Sequence, residues 1–338
     1  MQKKQEQTIP VCSDTAVVIR DYYFDNLKAI LIFLVVLGHF LLYRLSSPGV
    51  AFLYNVIYSF HMPLFIFVSG YFSKNVKKSY EQAFFNFLIP YLLFNTLYAV
   101  ELAMISRKIP DISIFMPQYA YWYLLSLFFW RTFLQHLVKI KFIMVFTVLL
   151  ALYCGFIPTI GRELSLSRTI VFFPFFLSGY FCNGKLKEQI RRIPIIVAII
   201  GLIVTSVVIY WIKLYNNFIN ADIFTGVLPY GENGLYGLVQ RVTAFVLSVT
   251  MGVFVLRIIP TGKTWFTNIG ISSLIIYLFH PFFVEILTRM SYFQLIPPNF
   301  AIPFCVLLSV LIVAVLNNKI LKRTYDKFIL KLEKCFLK

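Results

Sequence analysis

Charge is scarce in this 338-residue chain. Only 13% of its residues are charged, and acidic side chains number 14 against 31 Lys and Arg. A soluble domain usually carries about 25% charged residues, so a fold that stays in water is excluded. Cysteine is equally uninformative: Cys12, Cys154, Cys182, Cys305 and Cys335 are scattered, odd in number and without a CxxC pair. That pattern excludes a disulfide framework and a thiolate metal site, and no metal is expected. There is no linker, no low-complexity tract and no separate polar domain. No cleavable signal peptide is expected either, because the first 20 residues are polar and irregular and the first apolar run is long enough to span and stay. The formal net charge of +17 raises nucleic acid as a partner, but the basic residues lie in short loops between apolar runs, so none is expected.

What the chain has in excess is apolar and aromatic surface, with 59% hydrophobic residues, 37 Phe, 21 Tyr and a mean hydropathy of +0.79. Runs of membrane-spanning length follow one another from residue 27 to 321. Ten are expected, at 27–45, 51–72, 83–105, 119–136, 141–159, 168–182, 193–214, 237–258, 268–289 and 300–321. The chain is therefore read as an all-α polytopic protein of the cell (plasma) membrane, with the lipid bilayer as its surroundings. Lys and Arg set its orientation. Twenty-three of the 31 basic residues fall on one set of alternate segments and eight (Arg44, Arg107, Lys108, Arg162, Arg168, Lys213, Arg241 and Arg289) on the other. Both termini are accordingly expected in the cytoplasm. Residues 1–24 form a cytoplasmic segment, 25–321 the transmembrane domain, and 322–338 a basic amphipathic tail on the anionic inner leaflet.

One pattern repeats. The second run ends "FVSGYF" (67–72) and the sixth "FLSGYF" (176–181), each preceded by a proline, Pro63 or Pro174, and followed by a basic loop. Two readings stand: close helix packing at small residues, or two thin, bent helices that open a gap at the cytoplasmic face.

Ionisable residues inside apolar runs are costly and therefore informative. Three of the four histidines, His39, His61 and His280, lie inside runs, and His136 ends one. Lys28 precedes His39 by eleven residues, which returns a helix to within about 20° after about 16 Å of rise. Lys28 and His39 thus share a face, with the cation towards the cytoplasm and the imidazole in the outer half. Asp25 lies about 40° off the same line. Proline follows His61 and His280 within two residues, bending each helix and freeing a backbone carbonyl. An imidazole among Phe and Leu is expected to be neutral at pH 7 and so competent as a general base. The plain alternative is a histidine bonded to a neighbouring helix as polar glue.

The residues that carry these features resemble the membrane acyltransferase-3 family, particularly its fucose 4-O-acetylase-like branch. The similarity runs through "DNLKAILIFLVVLGHF", "FHMPLFIFVSGYF" (60–72), "YWYLLSLFFWR" (121–131), "FFPFFLSGYF" (172–181) and "NIGISSLIIYLFHPFF" (268–283), and so covers nearly the whole chain. Lys28 stands where that family often has arginine, which exchanges a forked guanidinium for a single ammonium. The resemblance implies an O-acetyltransferase. Acetyl-CoA would enter from the cytoplasm as a substrate, with no permanently bound cofactor, and the acetyl group would reach a hydroxyl of a carbohydrate acceptor at the outer side. His39 would be the general base, His61 or His280 would orient the acceptor or stabilise the oxyanion, and Lys28, Lys74, Lys77 and Lys78 would meet the donor's phosphates. The rival from another class is a transporter or flippase for a lipid-linked glycan.

Overall fold

In hydrocarbon every backbone N–H and C=O must be satisfied within the chain, so apolar runs of this length become helices. The computed structural model describes residues 21–214, 218 and 222–336, and among them all ten apolar runs are helical and no strand occurs. The elements are α1 (Tyr22–Leu42), α2 (Pro48–Tyr71), α3 (Val76–Glu81), α4 (Ile89–Ser106), α5 (Trp122–Leu137), α6 (Ile143–Tyr153), α7 (Leu166–Phe181) and α8 (Gly184–Arg192). They continue with α9 (Ile195–Leu214), α10 (Gly234–Ile258), α11 (Thr267–Ile271), α12 (Ser273–Arg289), α13 (Ser291–Leu295), α14 (Pro298–Leu316) and α15 (Lys319–Phe336). Seven helical stretches among the described residues are long and apolar enough to cross a membrane: Tyr22–Leu42, Pro48–Tyr71, Phe84–Ser106, Glu163–Phe181, Ile195–Leu214, Gly234–Ile258 and Pro298–Leu316. α5, α6 and α12 are shorter. The chain is a multi-pass membrane protein.

Several boundaries move for local reasons. Asp21 caps α1 by accepting from the Tyr23 N–H at 3.1 Å, so the helix begins at Tyr22 and buries Tyr23 and Phe24, which had been assigned to a terminal segment. Residues 1–20 of that segment lie outside the described residues, as do 337 and 338 of the tail. The ninth run divides into α11 and α12 at Ser272. The third run opens with a π turn, Phe84–Leu88, just before Pro90, whose missing N–H leaves the Asn86 carbonyl without its usual partner. The tail helix α15 starts at Lys319, buries Tyr325 and Ile329, and sets Phe336 against Phe85 with ring centroids 6.3 Å apart.

The repeated SGYF segments form a close helix crossing. A Cβ placed on Gly70 would lie 1.8 Å from the Phe176 carbonyl oxygen, and one on Gly179 would lie 1.8 Å from that of Phe67. α2 and α7 therefore touch backbone to backbone at both glycines, and the close-packing reading holds there in place of a gap. A second tight crossing sets Gly270 of α11 on the Asp25 carbonyl oxygen. Beside it Asn26 donates to the carbonyls of Pro260 (2.9 Å) and Gly262 (2.8 Å) and accepts from the hydroxyls of Thr264 (2.9 Å) and Thr267 (2.6 Å). The start of α1 is clamped in this way to the α10–α11 connection.

The connection between α4 and α5, residues 107–121, folds back into the bundle. Tyr121 donates to the Leu278 carbonyl at 2.9 Å and Tyr277 to that of Ala120, which sets the residues just before α5 level with the second turn of α12. Asn95 holds the segment by donating to the Ser113 carbonyl (3.1 Å) and accepting from the Gln118 N–H (2.7 Å), while Tyr91 donates to the Ile114 carbonyl (2.6 Å). With these backbone groups paired, residues 113–121 can enter the bundle while 107–112 stay exposed. The loop delivers Tyr119 to the centre with a left-handed backbone, φ 47°.

Candidate active site

A cavity of about 310 Å³ lies between α1, α2, α7 and the folded-back loop. His39 and His61 both line it, with Tyr54, Tyr58, Tyr119 and Arg168. His39 is three residues from the end of α1, on its cavity face, and its Nδ1 is buried without a hydrogen-bond partner. The Tyr119 ring lies against it, centroids 4.5 Å apart, and the Tyr119 hydroxyl is also buried and unpartnered. His280 is fully buried behind His39, ring centroids 5.2 Å apart, and does not line the cavity.

The backbone fixes two of the three tautomers. His61 Nδ1 lies 2.8 Å from the Ile57 carbonyl oxygen, and His280 Nδ1 lies 3.0 Å and 2.9 Å from those of Ile276 and Tyr277. A carbonyl only accepts, so each Nδ1 carries the hydrogen and each Nε2 keeps its lone pair. Pro281 is the reason the Tyr277 carbonyl is free, because its missing N–H would have bonded there. His280 Nε2 has no partner among the described residues. The His39 and His280 rings thus lie side by side with an unpartnered nitrogen on each, Nδ1 of His39 and Nε2 of His280.

The sequence placed four lysines at the donor's phosphates, and the structure gathers two of them. Lys28 pairs with Asp25 at 2.9 Å and stands 5.6 Å from the Phe72 ring, while Lys74 lies 4.0 Å from the Tyr71 ring and donates to the Cys182 carbonyl. Lys187 of α8 joins them, 4.7 Å and 5.2 Å from the rings of Tyr23 and Phe24 and paired with Asp21 at 2.6 Å. The Phe24 ring packs on Tyr71 (4.2 Å) and Phe72 (5.5 Å), so three ammonium groups surround one aromatic cluster. Lys77 and Lys78 are exposed on α3. This cluster sits at the opposite end of α1 from His39, about 16 Å along the helix from Lys28.

A model of acyltransferase domains matches residues 21–317. The chain belongs to this acyltransferase family. Two relatives named nodulation protein NolL match short segments. The one from Mesorhizobium japonicum is 41% identical over 88 residues, 23% of this chain and 24% of that protein. The one from Sinorhizobium fredii is 50% identical over 60 residues, 15% of each. The chain thus spans about a quarter or less of the curated relatives it matches. No solved structure matches significantly.

The acyltransferase domain contains two cavity residues that sequence reasoning passed over. Arg168 was counted among loop charges, yet it sits in the first turn of α7, half-buried, with its guanidinium 4.9 Å from the Trp122 ring. Its one visible signal was its place at the head of an otherwise apolar run that ends in SGYF. Tyr119 gave no signal, because its position depends on a left-handed backbone inside a loop. Chemically the cavity combines imidazole lone pairs that take protons, a fixed cation, and aromatic faces for a ring-shaped ligand.

Proposed function

We propose that this chain is an O-acetyltransferase of the plasma membrane. It crosses the bilayer ten times with both termini in the cytoplasm, and moves acetyl from cytoplasmic acetyl-CoA to a hydroxyl of an extracytoplasmic or lipid-linked carbohydrate. One observation carries the reading: an imidazole, His39, borders a cavity with an unpartnered nitrogen, while a lysine–aromatic cluster gathers at the other end of the same helix. The cluster suits an anionic nucleotide, since ammonium groups bind phosphate as point charges and aromatic faces accept a flat base.

In the reaction the acceptor hydroxyl oxygen attacks the thioester carbonyl carbon, and His39 takes the hydroxyl proton. The tetrahedral intermediate collapses with cleavage of the carbon–sulfur bond. The leaving thiolate receives that proton from His39, so ester and CoA thiol leave with His39 restored. His280, its Nδ1 tied to backbone carbonyls, backs the His39 ring and limits its orientation. His61, held the same way on the cavity wall, meets the acceptor.

The test is transfer of labelled acetyl from acetyl-CoA to recovered glycan by membranes carrying the wild-type chain or His39→Ala. Label that appears with the wild type and is lost in the variant supports the role of His39. Undiminished labelling in the variant rejects it. If neither transfers label while glycan export depends on the protein, a flippase or transporter replaces this reading. For orientation, a cysteine at position 222 is expected to react with an impermeant reagent in intact cells, and one at 187 only after permeabilisation. The opposite pattern inverts the topology.

A further inference from the structure

The basic residues outside the lysine cluster divide by what they touch. Arg44 donates to the carbonyls of Phe293 (3.2 Å), Gln294 (3.0 Å) and Ile296 and so ties α13 to the end of α1. Arg241 donates to the carbonyls of Ala151 (3.2 Å) and Leu228 (3.0 Å) and lies over Tyr230. Arg289 pairs with Glu285. Each of these guanidinium groups is accounted for by the fold.

Arg168 is not. Among the described residues it makes no hydrogen bond and no ion pair; its contact is the face of Trp122, 4.9 Å away. It borders the cavity that His39 borders, beside Tyr54 and Tyr58, whose rings stack at 3.8 Å. Arg162, six residues earlier at the exposed rim, lines the same cavity and likewise has no acidic partner among the described residues. The lining holds one carboxylate, Asp222, which is already engaged, so the wall carries more positive than negative charge. Arg168 is half-buried and faces the cavity, so its guanidinium stands open to a ligand that brings the counter-charge no side chain supplies. A single transient oxyanion needs one donor set at one point. Two cations spaced from rim to interior instead make a strip that draws in a permanently charged group and holds it.

We propose that the acceptor is an anionic carbohydrate, whose carboxylate or phosphate pairs with the Arg168 guanidinium while a sugar ring packs on the neighbouring tyrosines. This rests on the acetyl-transfer reading and names the acceptor class at the same site. Arg168 is a binding residue in this scheme, and the proton moves through His39 as before. Arg162 at the rim speeds capture of the same anion.

Product analysis tests it without a variant. Glycan labelled by wild-type membranes is hydrolysed under conditions that keep the acetyl ester and separated by anion exchange. Label on uronate-bearing or phosphate-bearing fragments supports the proposal, and their mass tells the two anions apart. Label confined to neutral fragments of an uncharged glycan overturns it and leaves acetyl transfer intact. No label in any glycan overturns both readings. Kinetics give the second arm, with the recovered glycan stripped of acetyl by mild alkali and returned as acceptor. Arg168→Gln is expected to raise the acceptor KM roughly 10- to 100-fold with kcat nearly unchanged, and Arg168→Lys to recover part of the loss. A fall in kcat at constant acceptor KM would assign Arg168 to the oxyanion instead and overturn the proposal.

Discussion

Asn26 and His39 stand on one helix, thirteen residues and about 20 Å apart. At Asn26 the polar atoms are met: two carbonyls accept from its amide, and two threonine hydroxyls donate to its oxygen. At His39 they are not. Its Nδ1, the Tyr119 hydroxyl and His280 Nε2 are all buried without hydrogen-bond partners. A buried polar group left unpaired costs roughly 1–3 kcal/mol, and here two such groups border the cavity while the third stands directly behind one of them. The contrast separates polar residues that build the bundle from those kept ready for a ligand. Asn26 belongs to the first kind and His39 to the second.

The comparison can be broken most directly at His39. His39→Ala is expected to lower acetyl transfer by about 10²- to 10⁴-fold, the range for a general base, with a melting temperature equal to or above that of the wild type. Equal activity, or a large loss of folded protein, would move His39 into Asn26's class. Asn26→Ala is expected to do the reverse. It removes four hydrogen bonds, of which the buried Thr267 hydroxyl loses the most while the exposed Pro260 and Gly262 carbonyls can turn to water, at a total of roughly 1–3 kcal/mol, lowering thermal stability in detergent while leaving the acceptor KM of the folded fraction unchanged. An unaltered melting curve would show that the clamp is dispensable. The smallest effect is expected at Lys28, where the Asp25 pair and two further ammonium groups share the load. Lys28→Glu should raise the KM for acetyl-CoA several-fold, and more than that for the acceptor, measured in membrane vesicles. An unchanged donor KM would remove Lys28 from the donor site.

Much of this was legible before any coordinates. Apolar runs become helices because hydrocarbon offers the backbone no other partner, and the ten runs are found as helices, although α1 starts five residues early, α6 ends at Tyr153 instead of 159 and α14 ends at Leu316 instead of 321. The histidines stood out because an imidazole is rare in such runs, and two of the three line the cavity. Other features were not legible, for specific reasons. His280 meets His39 but stands behind it and off the cavity wall, and the packing of Gly270 against Asp25, which sets α11 and α12 on α1, is not written in either segment alone. Lys77 and Lys78 looked equivalent to Lys74, yet the turn after α2 brings only Lys74 onto an aromatic ring. Arg168 looked like one of eight loop charges, because nothing in its neighbourhood along the chain distinguishes a guanidinium with carbonyl partners from one without.

The sequence by itself determined an all-helical membrane protein, its apolar segments, the buried imidazoles, and a lysine and a histidine on one face of the first helix. These follow from local facts: the chemistry of each side chain, the hydrogen-bonding demand of the backbone, and a repeat of about 3.6 residues per turn. Only the tertiary structure decided which polar atoms have partners and which do not. That property belongs to contacts between residues far apart in sequence, such as Asn26 with Thr267, Tyr119 with His39, and Arg168 with the Trp122 ring, and no single segment contains it.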